Sequence, residues 1–286
     1  MKLSVKNLSK HYDKPILQNV SFEMNTGILG LLGENGAGKT TLLEIISTLI
    51  APHTGQVDYE GMDVSQDLRA IRKQIGYLPQ KFDFFPHLTV QEILEYVCRL
   101  KNIHGKQRIT EIEEKLEQVG LLVHRNKKFI ALSGGMKQRL GIAQAIVGNP
   151  RLLLVDEPTV GLDPHERVSF RQLLTTLSTD RSIIISTHIV EDIALTTDLV
   201  LVLHQGIVNY FGDIPAFIKS VEGKVWLYSG ENVTEKLQEQ GALIISTQVT
   251  ASGVHVRYIS DTPLEGSLLV EPTLEHAYIY TNRKKV

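Results

Sequence analysis

Three short stretches carry residues whose types and spacing can do chemistry on a phosphate. The first reads Gly33-Glu34-Asn35-Gly36-Ala37-Gly38-Lys39-Thr40-Thr41. Its glycines can adopt backbone angles closed to residues with a Cβ, so successive N–H groups can turn inward around an anion, helped by the helix start that follows. Lys39 adds a mobile positive charge for the outer phosphates, and the Thr40 hydroxyl is placed to hold Mg²⁺. The second stretch is Asp156-Glu157-Pro158. An acid there can share Mg²⁺ with Thr40, and a second acid beside it can orient and deprotonate a water for attack on a γ-phosphate. The third, Leu132-Ser133-Gly134-Gly135, is another glycine-rich helix start. Ser133 is a good N-cap, and the N–H groups of Gly134 and Gly135 are open to an anion. The residues alone do not say whose phosphate it meets.

These groups need a scaffold, and the flanking sequence predicts one. Ile28 to Leu32 is an apolar strand and Leu42 to Ile46 is apolar at helical spacing, so the first stretch reads as strand, loop, helix. Leu152 to Val155 is a second strand, ended by the two acids and stopped by Pro158. Ser182 to His188 and Leu199 to Leu203 are further buried strands, and such uninterrupted apolar runs predict a sheet covered on both faces. Leu3 to Leu8 and Val20 to Met24 alternate as half-buried strands do. Val57 to Tyr59 and Ile75 to Leu78 read as strands, and Gly206 to Gly212 as a sheet edge or hairpin. Between them, Thr89-Val90-Gln91-Glu92 is a capping box, followed by a helical stripe at Ile93, Val97 and Leu100. Ile109, Ile112, Leu116 and Val119 predict a second helix closed by Gly120. Residues 81–150 therefore read as a helical insertion. From about Pro215 the pattern changes to a small α+β appendage, with strands near 224–228, 243–246 and 254–258 and helices near 233–240 and 273–280.

The 286 residues carry 30 basic and 32 acidic side chains, a formal net charge of −2, which is no electrostatic footprint for nucleic acid. A single cysteine, Cys98, excludes an intramolecular disulfide and fits a reducing compartment. No apolar run approaches the length of a membrane span, and Met1 to Lys6 lacks the apolar core of a signal peptide. A membrane role is thus expected to be peripheral.

The phosphate loop at 33–40, Leu-Ser-Gly-Gly at 132–135 and the strand ending Asp156-Glu157 occur in an order and spacing that resemble ABC transporter ATPase subunits. Four smaller marks agree: Tyr12, Gln80 in Tyr77-Leu78-Pro79-Gln80, Gly161-Leu162-Asp163, and His188 in Ser186-Thr187-His188. The resemblance covers residues 1–214 and implies an α/β P-loop NTPase of the ABC type with the helical subdomain inserted, residues 215–286 forming the extension. It implies ATP and Mg²⁺ as cofactors, and an ATP hydrolase coupled to transport at the cytoplasmic face of a membrane. Two cassettes would pair head to tail, most simply as a homodimer, with a heterodimer open. A separate transmembrane permease would meet Gln80 and the helical insertion. Glu157, His188 and Gln80 would serve catalysis, and Thr40, Gln80 and Asp156 would hold the metal. Tyr12 would stack on the base, although taken alone such a residue is more often a surface tyrosine. Residues 33–41 would bind the nucleotide, and Ser133, Gly134 and Gly135 would face the partner's ATP. Met136 departs from the glutamine that many relatives carry. Glu271 to Tyr278 resembles the closing helix of single-cassette exporters of the drug, polysaccharide and peptide-resistance type. Two other functions compete. A soluble ABC ATPase acting on nucleic acid or ribosomes usually carries a long coiled coil or tandem cassettes, and this chain has neither. A non-hydrolysing switch is not suggested where Glu157 and His188 are both present.

Overall fold

A computed structural model describes residues 2–64, 67–230, 233–250 and 253–283. The chain forms two compact units, Met1–Val208 and Asn209–Val286.

The first unit opens with β1 (Leu3–His11) and β2 (Pro15–Met24), then β3 (Ile28–Leu32) and α1 (Lys39–Ile46). β4 (Thr54–Tyr59), β5 (Met62–Asp63), α2 (Leu68–Gln74) and β6 (Ile75–Leu78) follow. Three helices come next, α3 (Val90–Leu100), α4 (Gly105–Gln118) and α5 (Gly134–Ile146). The chain then runs through β7 (Leu152–Asp156), α6 (Pro164–Leu177), β8 (Ser182–Thr187), α7 (Val190–Ala194) and β9 (Leu199–His204). β10 (Ile207–Asp213) carries it out of the unit.

Strands β2, β1, β4 and β5 form an antiparallel sheet. Strands β9, β3, β8, β7 and β6, in that order, form a parallel one. In that sheet β3, β7 and β8 are buried at every residue, which is why their sequences run apolar without alternation. Register fixes what emerges from their C-terminal ends. Leu32 lies opposite Thr187, and Asp156 opposite Ser186. The phosphate loop, the two acids and His188 therefore leave the sheet side by side, at the edge where open α/β sheets place their ligands.

The helices between β6 and β7 share one core with the faces they cover, including Ile93, Leu94, Val97, Ile112, Leu116, Leu140 and Ile146. Thr89 closes the capping box with Glu92 in both directions. Two members of the anticipated stripes do not join that core. Leu100 and Ile109 are 66% and 58% exposed. Leu100 is the last residue of α3 and Ile109 lies in the second turn of α4, both near the α3–α4 connection, where the stripe has run past its neighbours.

The second unit holds α8 (Ile214–Lys219), β11 (Val225–Ser229), α9 (Val233–Glu239), β12 (Leu243–Thr250), β13 (Gly253–Ile259), β14 (Leu268–Leu269) and α10 (Leu274–Arg283). Its antiparallel sheet runs β12-β13-β11-β14. Val233, Leu237, Ala242, Val256 and Tyr258 form a small core of its own.

Candidate functional site

The loop between β3 and α1 is shaped by two glycines that tolerate no substitute. A Cβ on Gly33 would lie 2.4 Å from the carbonyl oxygen of Leu203, which is backbone and cannot step aside. Gly38 occupies the N-cap of α1 in a left-handed conformation, φ +103°, and gives that helix no side-chain cap. The first N–H groups of α1 are thus left for an outside acceptor, and a helix N-terminus favours an anion there.

Against this loop lies a cleft of about 400 Å³, lined by Ile16, Glu34, Asn35, Gly36, Gly38, Lys39, Thr40, Thr41, Gln80 and Glu157. Lys39 is 6% exposed. Its ammonium donates to the carbonyls of Gly33 at 2.7 Å and Glu34 at 3.2 Å. It also ion-pairs with Glu157 Oε1 at 3.0 Å, a contact of charge rather than an aligned hydrogen bond. The other carboxylate oxygen of Glu157 meets His188 Nδ1 at 2.8 Å. The Thr40 hydroxyl donates to Asp156 Oδ2 at 2.7 Å, and the Ser186 hydroxyl donates to Asp156 Oδ1. The backbone at Glu157 is left-handed, φ +47°, rare for a residue with a side chain. Its N–H donates to the Ser186 carbonyl at 3.0 Å.

The donor set suits Mg²⁺. Thr40 and Asp156 supply hard oxygens beside a phosphate loop, and Mg²⁺ is typically held by one or two carboxylates together with substrate phosphates. Among the described residues no cluster of three or more His, Cys, Asp or Glu could hold a metal by itself. Negative charge is concentrated here: burial first, then the carboxylates of Asp156 and Glu44, push the Tyr77 phenol well above its ordinary range.

Lys39, Thr40, Asp156, Glu157 and His188 thus form one connected cluster, and Gln80, itself exposed, shares its cleft. Gly33 and Ala37 are buried behind the loop. Tyr12 stands apart at the turn between β1 and β2, 59% exposed, beside Lys10 but not lining the cleft. Ser133, Gly134 and Gly135 are elsewhere too, at the start of α5. Ser133 caps that helix by accepting from Met136 N–H at 3.2 Å. Gly135 is buried beneath the Glu166 carboxylate, in the space a Cβ would need. Two participants escape a reading of the sequence. Ile16 lines the cleft from β2, and Ser186 fixes Asp156 from within β8. For Ser186 the signal was a hydroxyl directly after the apolar run Ile183–Ile185 in a fully buried strand, because a buried polar group needs a partner.

The sequence profile of the ABC transporter family matches residues 17–160, half of the chain. An uncharacterized ABC transporter ATP-binding protein of Bacillus subtilis (strain 168), YxlF, is 34% identical over 238 residues, 82% of this chain and 78% of its own length. The chain belongs to the ABC transporter ATP-binding family. It is an ABC-type ATPase cassette of the P-loop α/β fold. The human retinal-specific phospholipid-transporting ATPase ABCA4 is 38% identical over 224 residues, 77% of this chain, and the chain spans 10% of that protein. The cassette also superposes on the dimeric post-hydrolysis structure of the ATP-binding cassette MJ0796 bound to ADP and Pi. There the TM-score is 0.65 and the identity 28%, covering 74% of this chain and 98% of the other. Among the cassette's described residues no helix is long and apolar enough to cross a membrane.

Proposed function

We propose that the cassette is the ATP-hydrolysing subunit of a membrane exporter, working at the cytoplasmic face with a separate permease and pairing with a second copy of itself. The observation that carries the hydrolytic part of this reading is the cluster in which Lys39 and His188 grip the two oxygens of Glu157 while Thr40 and Ser186 grip Asp156. Loop N–H groups from Gly33 to Thr41 and the Lys39 ammonium bind the β- and γ-phosphates. Thr40 and Asp156, with Gln80 near, would hold Mg²⁺, which would neutralise charge on those phosphates. Glu157 takes a proton from a water as its oxygen forms the new bond to the γ-phosphorus and the bond to ADP breaks. His188 holds the carboxylate in position for that transfer. Tyr12 reaches the base from its exposed turn. Ser133, Gly134 and Gly135 meet the ATP held by the partner copy's phosphate loop, so binding energy from ATP appears as association.

The permease reading has a surface to support it. Just past Gln80, Phe84, Phe85, Pro86, Ile93 and Tyr96 line an apolar hollow of about 450 Å³, with Phe85 72% and Tyr96 54% exposed. The decisive variant is Glu157→Gln. It should bind ATP, lose about 10²–10⁴-fold in phosphate release, and sediment as an ATP-bound dimer. Normal hydrolysis in this variant overturns Glu157 as base. A monomer at saturating ATP and Mg²⁺ overturns the homodimer in favour of a heterodimer or a permease-assembled pair. Recovery of a multi-span membrane protein with the tagged cassette tests the permease.

A further inference from the structure

The segment that follows Glu157 is held from two sides by side chains with no part in the reading above. From α5, Gln138 Nε2 donates to the Pro158 carbonyl at 2.8 Å. From α7, Asp192 Oδ2 accepts the Thr159 hydroxyl at 2.6 Å. Both ends of the second bond are buried, Thr159 at 2% and Asp192 at 5% exposure. The other Asp192 oxygen takes Arg171 Nη1 from α6 at 2.9 Å, so the buried carboxylate is neutralised and both its oxygens are occupied.

Asp192 lies on α7, which begins just after His188. The two short segments 157–159 and 188–192 are therefore joined by two rungs. One is His188 to Glu157 at 2.8 Å, and the other is Asp192 to Thr159 at 2.6 Å. Lys39, His188 and the N–H bond to Ser186 hold Glu157 itself, and the second rung fixes the chain two residues further on, where the loop turns away from the sheet. The left-handed backbone at Glu157 makes the second rung matter, because such a conformation persists only where its surroundings over-determine it.

We infer that Thr159 and Asp192 are positioning residues for Glu157, locking the loop that carries it to the helix that follows His188. The inference rests on the assignment of Glu157 as base. Arg171 acts one step further out, by holding the second Asp192 oxygen so that the first stays aimed at Thr159. Neither Thr159 nor Asp192 lines the nucleotide cleft, so their effect belongs to the chemical step and not to nucleotide capture.

The test uses the full chain with ATP and Mg²⁺. Thr159→Val keeps the side-chain shape, removes the hydroxyl and leaves the Asp192–Arg171 pair intact. It should lower kcat by about ten- to a hundredfold, the scale of a small misplacement at a reacting centre, while KM and nucleotide affinity stay within about twofold of the parent. Thr159→Ser restores the hydroxyl and should recover most of the lost rate. Adding Asp192→Asn to Thr159→Val should cost little more than the worse single variant, since both act on one rung. A parent-like kcat in Thr159→Val, or equal loss in Thr159→Val and Thr159→Ser, overturns the positioning role. So does a rate loss fully matched by loss of folded protein. Glu157→Gln, assayed alongside, separates the two levels. If it is inactive, a parent-like Thr159→Val refutes only the rung. If it hydrolyses ATP normally, the assignment of Glu157 fails and the inference goes with it.

Discussion

Lys39 and Glu157 are 6% and 4% exposed and 3.0 Å apart, so each is the main compensation for a charge that has left water. Lys39→Met keeps most of the aliphatic stem and removes the ammonium. At that distance, with an effective dielectric of about 20, the lost attraction is about 5–6 kcal/mol before the relief of lysine desolvation is counted. Removing one member of a buried pair costs about 3–5 kcal/mol in practice. Because His188 still meets the other Glu157 oxygen at 2.8 Å, the lower end applies. For a unit of this size about 3 kcal/mol corresponds to a fall of roughly 6–12 °C in melting temperature, at ~2–4 °C per kcal/mol. Glu157→Gln should recover much of this in the Lys39→Met background, because the amide no longer needs a cation. Thermal melts of the parent, both single variants and the double variant without nucleotide complete the cycle. A Lys39→Met protein that melts within about 2 °C of the parent refutes the coupling. So does a double variant whose loss is the sum of the singles. Hydrolysis by Lys39→Met should fall a few hundredfold, about 3–4 kcal/mol of lost transition-state stabilisation.

Tyr12→Ala should weaken ATP binding by about 1–3 kcal/mol if its ring stacks on the base as aromatic side chains do on nucleic-acid bases, and unchanged affinity in a titration would leave Tyr12 a surface residue. His276, 2% exposed on α10, has its pKa lowered by burial first and by the Arg257 charge second. The unfolded chain therefore takes up a proton before the folded one does. The second unit should be fully stable above pH ~6.5 and lose stability as pH falls from there towards the depressed folded value. His276→Gln should flatten that slope. Trp226 on β11 is the chain's one tryptophan, so urea unfolding followed by its fluorescence reports this unit; a parent and variant with equal slopes between pH 7 and 5 would refute the assignment.

The parallel sheet was legible because its strands are buried on both faces, so Leu152–Val155 and Ile183–Ile185 read as apolar runs without alternation to misjudge. The strand–loop–helix around Lys39 was legible because glycine spacing is dictated by backbone geometry and survives in any context. The helix stripes failed at Leu100 and Ile109, since periodicity tells which face a residue shares and not how far the opposing surface extends. α2 went unread because only Ile71 of its residues is buried, which leaves no stripe to see. Within the site, what the sequence hid were partners and not chemistry. Ser186, Gln138 and Asp192 come from three separate elements, and only the register of β7 against β8 and the packing of α5 and α7 bring them to the two acids and to Thr159 in the loop that follows.

β6 and β7 are direct parallel neighbours, with Leu78 opposite Val155, although residues 79–151 lie between them. The chain leaves the sheet after one strand, makes all of α3, α4 and α5, and returns to the adjacent slot. Asp156 and Glu157 are thus anchored by a strand pairing that does not depend on the shape of the excursion. Such an arrangement is modular in the evolutionary sense. The excursion, with its exposed Phe85, Tyr96 and Leu100, can be redrawn to suit a different docking counterpart while the hydrolytic edge keeps its geometry, so long as the turn into α5 returns to the same place. A lineage with this topology can diversify what it drives without reinventing how it is fuelled.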